Sequence, residues 1–475
     1  MPKLRLIAAC CLPLWLAACA ITPPPSSVTA EVPAQWQAPL PHNGTLAGLN
    51  TWWQSLGDPL LVQFIDAAEA VSPTVASARS RIEQSRATRT AAGAALLPTL
   101  DGSLSASRGV TQPGFPLATT GQAALQASWE VDLFGANRAA SSAAQARLEG
   151  TQALWHDARV SVAAEVANQY FSLRTCERQV AVAQGDAQSR AETSRLADLA
   201  TRAGFQAPAT AALARASSAE SAGRLTQQRA LCDIDVKALV QLTGWAEPQL
   251  RLRLAATPSS PALTATLKAT LPIATVPAQA LAQRPDIFSA ERDVAAASAD
   301  VGNAQAQRYP RLTLAGSVGT LHSRAGGTSI NLDTWSIGPV ALSLPIFDGG
   351  RRAANVDAAR ARYDEAAALY RARVRQAVRE VEEALVNLQA TDSRSADAAI
   401  ATEGYRASFA ATQALYQNGL ASLVQLEDAR RTQLAAETTL VSLQRERVAA
   451  WVALYRAVGG GWTPDALNPP ALAQQ

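Results

Sequence analysis

A chain of 475 residues with 17% charged residues, 5% aromatic residues and a net charge of +3 is long enough for a sizeable core but carries no basic cluster of the kind nucleic-acid binding needs. Mean hydropathy of −0.01 looks soluble, yet the average hides a membrane address at the N-terminus, and beyond that no run of 18 apolar residues predicts a membrane-spanning helix. Any passage through a membrane must therefore be made by strands, the other structure that satisfies its backbone in lipid.

Lys3 and Arg5 precede the apolar run Leu6 to Leu16, and Ala17-Ala18-Cys19 follows. This is the pattern of a signal peptide over residues 1–18, and its cleavage site resembles the bacterial lipobox, with Cys19 as the lipidated first residue. Ala20 in place of Asp favours, by the same resemblance, retention at the outer membrane. A plain secretory signal with an incidental cysteine is the alternative. Losing Lys3 and Arg5 leaves a side-chain balance of +1, which says little about partners. Residues 19–57 are rich in Pro, Ser and Thr, with Trp36, Trp52 and Trp53, and read as a lipid-tethered tail laid against the body.

Asp58-Pro59 opens a helix to about Val71, and Pro73 opens another that reaches Leu97 before Pro98 closes it. Two segments of period two follow. In Leu100–Ser107 the residues Leu100, Gly102, Leu104 and Ala106 alternate with Asp101, Ser103, Ser105 and Ser107; Leu125–Leu133 alternates in the same way. Such segments are the barrel signature, and a half-buried soluble sheet gives the same pattern; too little apolar sequence lies nearby to cover such a sheet. Gln112-Pro113-Gly114-Phe115-Pro116 predicts the loop between them. A helical run then follows Gly135 to a break at Gly204-Phe205, Pro208 starts the return, and Thr243-Gly244 ends it. Cys176 and Cys232 lie 28 residues on either side of Gly204, so a hairpin folded there sets the thiols side by side. In an oxidising compartment this predicts a disulfide, two unpaired core cysteines being the alternative. Residues 246–275 read as an irregular, Pro-rich bridge.

The second half repeats the first. Pro98-Thr99-Leu100 recurs as Pro310-Arg311-Leu312 at an offset of 212, and the breaks at Gly204 and Gly419 are 215 apart. The repeats are placed at 58–275 (strands within 99–133, helical hairpin 135–244) and 276–461 (strands within 311–347, hairpin 349–458), leaving a tail at 462–475. The strands Leu312–Leu321 and Trp335–Ile346 are joined by a loop around Arg324-Ala325-Gly326-Gly327, with a bulge expected near Gly338-Pro339. From Arg351 to Tyr416 there is no proline and Gly404 is the one glycine, so a helix of about 100 Å is predicted. Asn418-Gly419-Leu420 stops it, and a return helix runs from Ala421 to about Val458. Four strands are too few for a barrel, for which about eight is the usual minimum, so closure calls for several chains.

These residues resemble the TolC-like outer-membrane factors, in the NodT-type lipoprotein branch of RND efflux systems, over nearly all of the mature chain. The resemblance rests on Leu344-Pro345-Ile346-Phe347-Asp348-Gly349-Gly350-Arg351, on Ala282-Gln283-Arg284-Pro285-Asp286, and on Tyr416-Gln417-Asn418-Gly419 followed by Leu423 and Leu426. It implies a mainly α fold with a small membrane β part: long helical hairpins forming a periplasmic tunnel, and four strands per chain completing a 12-stranded barrel in a homotrimer. It further implies an outer-membrane export duct for drugs or other small toxic compounds, working with a periplasmic adaptor and an inner-membrane RND-type pump. The tips at Gly204, Phe205, Gly419 and Leu420 would meet the adaptor. The family's acidic aperture positions fall here on Gln425 and Asp428, near Tyr416 and beside Glu427, so only part of the acidic ring is present.

Enzyme chemistry and cofactors other than the lipid on Cys19 find no support. His42, His156 and His322 are scattered and form no helical metal pair, and Gly349-Gly350 lacks a phosphate-loop pattern and reads as a turn. Two other readings stay open: a channel for type I protein secretion or metal efflux, and a non-channel periplasmic structural lipoprotein. The second leaves the repeated strand pairs unexplained.

Overall fold

The computed structural model describes residues 21–38, 52–110, 116–257 and 281–463. Its elements, in order, are α1 (Trp52–Ser55), α2 (Pro59–Val71), α3 (Pro73–Ala94), β1 (Thr99–Gly109), β2 (Ala118–Val131), α4 (Ala136–Arg202), α5 (Pro208–Thr243) and α6 (Glu247–Ala256). The second half gives α7 (Pro285–Ala306), β3 (Arg311–Ala325), β4 (Thr328–Ser343), α8 (Arg351–Gln417), α9 (Leu423–Ala457) and a final turn of 3₁₀ helix at Gly459–Gly461. Proline opens α2, α3, α5 and α7, where its missing N–H costs nothing. At 67 residues each, α4 and α8 run about 100 Å.

The described residues divide into two compact units. One comprises residues 80–152 and 288–373 with the N-terminal segment to Ala30; the other comprises 31–79, 153–287 and 374 onward.

The first unit holds one antiparallel sheet in the order β1-β2-β3-β4. The two hairpins of the internal repeat are thus joined by pairing of β2 with β3, and β1 and β4 are left as open edges. Paired residues share a face of the sheet. One face carries Leu100, Leu104, Leu125, Trp129, Val318, Trp335 and Ile337; the other carries Asp101, Ser103, Gln126, Ser317 and Ser336. Pairing shifts between Leu314 and Gly316, opposite the cis bond Gly338–Pro339, and this bulge keeps Ile337 and Val340 on the same face. Gly319 is obligatory in the crowded β2–β3 pairing: a Cβ there would stand 2.7 Å from the Ala123 carbonyl oxygen.

Beside the sheet, small residues of α4 and α7 pack closely through Ala143, Ala146 and Ala296. The N-terminal segment lies along α7, where Ser298 Oγ donates to the Pro24 carbonyl and Gly302 comes alongside Pro23.

The second unit is built on an aromatic core. Trp52 stacks on Tyr455 at 4.9 Å, and Phe64 meets Tyr170 edge-on at 5.6 Å. Asp58 caps α2 through the backbone N–H groups of Leu60 and Leu61 and also accepts from Tyr170 Oη at 2.6 Å. The Arg284-Pro285-Asp286 motif has a structural task here. The Arg284 guanidinium is buried against Asp286, Glu380 at 2.8 Å and the Ala457 carbonyl oxygen at 2.8 Å. Gly459, at φ +83°, packs so closely on the motif that a Cβ would lie 2.2 Å from the Gln283 carbonyl oxygen.

Three sequence expectations are corrected. The stretch read as irregular from residue 246 begins with helix α6, because Leu250 and Leu254, one turn apart, both bury. The loop expected around Arg324 is only the two-residue turn Gly326-Gly327, with φ of +56° and +87°, since the strands continue to Ala325 and from Thr328. The β segments stop at Val131 and Ser343, short of the expected limits at 133 and 347. Cys19, the signal segment, the loop at 111–115 and the tail from 464 lie outside the described residues.

Candidate functional site

The two hairpin tips are built alike. At the end of α4 the Gly204 N–H donates to the Thr201 carbonyl and the Phe205 N–H to the Ala200 carbonyl. At the end of α8 Gly419 donates to Tyr416 and Leu420 to Leu415. Both are Schellman closures around a glycine at φ +75°. In such a closure the apolar residue after the glycine usually packs back on its own helix. Here Phe205 is 85% and Leu420 is 75% exposed, so each tip presents an uncovered apolar side chain.

Beyond the second tip Ser422 opens α9 with a capping box. Its Oγ accepts from the Gln425 N–H, and Gln425 Oε1 accepts from the Ser422 N–H at 2.7 Å. Gln425, one of the aperture candidates, thus spends its side chain on the cap. Tyr416 packs, partly buried, on a small cluster of Ala197, Ala214, Leu423 and Leu426. Asp428 is exposed and ion-paired with Arg431 one turn on. The three candidates lie within one hairpin end, each engaged within the chain.

Sequence reading missed a buried ion network just behind the tips. Glu427 on α9 accepts from Arg190 on α4, from Arg430 one turn on, and from Ser217 Oγ on α5 at 2.9 Å. Arg190 is also held by Asp186 at 2.8 Å, and Arg430 donates to Ser189 Oγ at 3.1 Å and Thr193 Oγ1 at 3.0 Å. The side chains of Arg190 and Arg430 are only 8% and 3% exposed. Burial pushes the Arg430 guanidinium below its ordinary value, and the opposing pull of Glu427 does not restore it. Three helices are pinned to one another at this level by charge, next to a cleft of about 470 Å3 lined in part by Phe409 and Glu437. Farther along the hairpin Cys176 and Cys232 form a disulfide, with Cα atoms 5.5 Å apart, that ties α4 to α5.

On the sheet, the face that carries the apolar residues extends from Leu104, whose row also holds Thr320 and Asp333, to the row of Val131, Leu312 and Leu342, about 27 Å along the strands, or about 20 Å at barrel tilt. That is close to the outward apolar band of a transmembrane barrel. Ile337 and Leu104 on it are 92% and 87% exposed. Among the described residues no group of His, Cys, Asp and Glu has the arrangement of a metal site, and no helix is long and apolar enough to cross a membrane.

The family model described as outer membrane efflux protein matches residues 64–245 and 276–460. The pyoverdine export outer membrane protein OpmQ of Pseudomonas aeruginosa is 30% identical, with 98% of each chain covered. Nodulation protein T of Rhizobium leguminosarum bv. trifolii is 28% identical, covering 95% of this chain and 97% of its own. Among solved structures, the outer-membrane channel OprN superimposes with a TM-score of 0.80 at 27% identity, covering 93% of this chain and 100% of that one. The open state of the Neisseria gonorrhoeae MtrE outer membrane channel gives 0.77 at 26% identity, over 94% and 99%.

Proposed function

This chain belongs to the outer membrane efflux protein family, and from that premise we propose that three copies close into one sealed pore that serves as the passive exit duct of a tripartite efflux system for small molecules. The observation that carries this reading is the sheet with two open edges. In β1 and β4, of 11 and 16 residues, about half of the backbone N–H and C=O groups point away from their one partner strand. Each such group left bare in hydrocarbon costs several kcal/mol, so a lone copy would carry a penalty of tens of kcal/mol. Pairing β1 of one copy with β4 of the next removes it, and three copies give an even count of twelve strands.

The polar sheet face, with Asp101, Ser103, Gln126 and Ser317, then lines the lumen, and the long hairpins form the periplasmic tunnel. Phe205 and Leu420 are the contacts offered to a periplasmic adaptor, which couples the channel to an inner-membrane pump of the RND type. Gln425, Asp428 and Tyr416 belong to the aperture, and the lipid on Cys19 fastens each copy to the membrane. The cargo is a small molecule, in keeping with relatives named for pyoverdine export and for toluene efflux.

The test is native mass spectrometry of detergent-purified full-length protein, together with single-channel recording in planar bilayers. A trimer that conducts is expected. A monomer that stays soluble without detergent and passes no current overturns the reading and leaves a periplasmic spacer lipoprotein in its place.

A further inference from the structure

The apolar face of the sheet does not end at the hairpin turns. Cross-strand pairing sets Arg108, Thr119, Arg324 and Ser329 in one row on that same face, at the end of the strands that carries the Gly326-Gly327 turn. The next row toward the helices holds His322, hydrogen-bonded to Asn331. Arg108 and Arg324 flank Thr119, two strand spacings or about 10 Å apart. Both are exposed, and neither has an ion-pair or hydrogen-bond partner among the described residues. The opposite face at this level carries Ser107, Thr120, Ser323 and Ile330; the two arginines share the face of Leu104, Leu125 and Trp335 and so point to the outside of a closed barrel.

Depth decides what they meet. Arg108 lies four residues beyond Leu104, the last outward leucine of β1, about 14 Å along the strand and about 10 Å along the membrane normal at barrel tilt. A headgroup layer is about 5–8 Å thick on each side, and a flexible arginine stem reaches back into it. The outer leaflet of an outer membrane is built of glycolipid whose sugar headgroup carries phosphates, and a guanidinium binds phosphate through two parallel N–H donors. We propose that Arg108 and Arg324 clamp the phosphorylated headgroup of the outer-leaflet glycolipid, fixing the height of the barrel in the bilayer and seating one such lipid on each copy.

The test is native mass spectrometry of the full-length protein in detergent, titrated with bisphosphoryl lipid A, with its dephosphorylated form, and with phosphatidylglycerol. Bisphosphoryl lipid A is expected to bind at least tenfold tighter than either comparison lipid. The double variant Arg108→Gln/Arg324→Gln should lose at least tenfold for it, whereas Arg379→Gln, which removes an exposed charge on α8, should lose less than twofold. Equal binding of the dephosphorylated form, or unchanged binding by the double variant, overturns the proposal. Equal binding of phosphatidylglycerol overturns it in favour of a general phosphate contact. The wild-type comparison needs no variant to fold, and a conducting trimer without lipid selectivity would fail this inference alone.

Discussion

Replacing Glu427 by Gln keeps the shape of the side chain and removes the carboxylate that ion-pairs with both Arg190 and Arg430. Breaking a buried ion pair by deleting one partner costs about 3–5 kcal/mol, because the surviving charge stays desolvated. Two features lower the figure here. Arg190 keeps Asp186 at 2.8 Å, and the Glu427 side chain is 18% exposed, so water can relieve part of the loss. About 2–3 kcal/mol is the expected loss in local stability. Native-state hydrogen exchange reads such a loss as local opening, and at 1.36 kcal/mol per decade it corresponds to exchange about 30–150-fold faster at residues 186–193 and 423–430. Protection in the sheet should not move.

Arg430→Met removes the opposite partner and should be milder. Burial already opposes that charge, and Arg430→Met withdraws a desolvated cation while Glu427 keeps Arg190. Because this network pins α4, α5 and α9 just behind the tips, Glu427→Gln should also raise single-channel conductance. Exchange that changes less than about threefold at both segments, or a larger effect from Arg430→Met than from Glu427→Gln, would refute the reasoning.

Other consequences follow from individual contacts. Asp428 is already neutralised by Arg431, so Asp428→Asn should change ion preference little; Arg431→Gln, by uncovering the carboxylate, should raise cation preference in reversal-potential measurements. Cys176 and Cys232 close a loop with a sequence separation of 56. Chain entropy alone would give about 4 kcal/mol, but the hairpin is already ordered by packing, so reduction or Cys176→Ser/Cys232→Ser should cost about 2 kcal/mol, read as a lower Tm. His156 is held neutral by burial and then by Arg159, its pKa lowered from 6.5 to about 4. The unfolded chain therefore takes up the proton first as pH falls: the stabilisation is complete above pH 6.5 and lost between 6.5 and about 4. For a half-buried ring this is about 1–2 kcal/mol, and His156→Asn should flatten that part of the Tm–pH profile.

Much of the fold was legible because its boundaries are set by residues with one physical meaning. Pro59, Pro73, Pro208 and Pro285 open helices, and Gly204, Gly244 and Gly419 close them in the left-handed conformation. The repeat made each reading in one half a check on the other. Strand β4 was half missed for a specific reason. Ile330 and Leu332 lie on one face while Trp335 and Ile337 lie on the other, so the apolar face switches within the strand and period two is broken as seen in sequence.

The outer basic row and the buried network depend on register and packing between distant segments, so neither was legible in the sequence. Arg108 and Arg324 belong to strands that are not hydrogen-bonded to each other, and β2 between them supplies the register that puts them in one row. Behind the tips, Arg430 and Arg431 are neighbours with the same side chain, yet one is 3% and the other 78% exposed. In a helix whose surface is laced with charges, a residue-level pattern cannot separate a solvated arginine from a buried one, because both are good helix formers and both have an acid one turn away. What separates them is a partner from another helix: Arg430 meets Ser189 and Thr193 of α4, and its acid, Glu427, is itself shared with Arg190, 237 positions earlier. The information lies in the angle at which two hairpins pack, so it becomes visible only once the hairpins are placed in space. Contacts that depend on such packing are also the ones a channel can make and break as its helices shift.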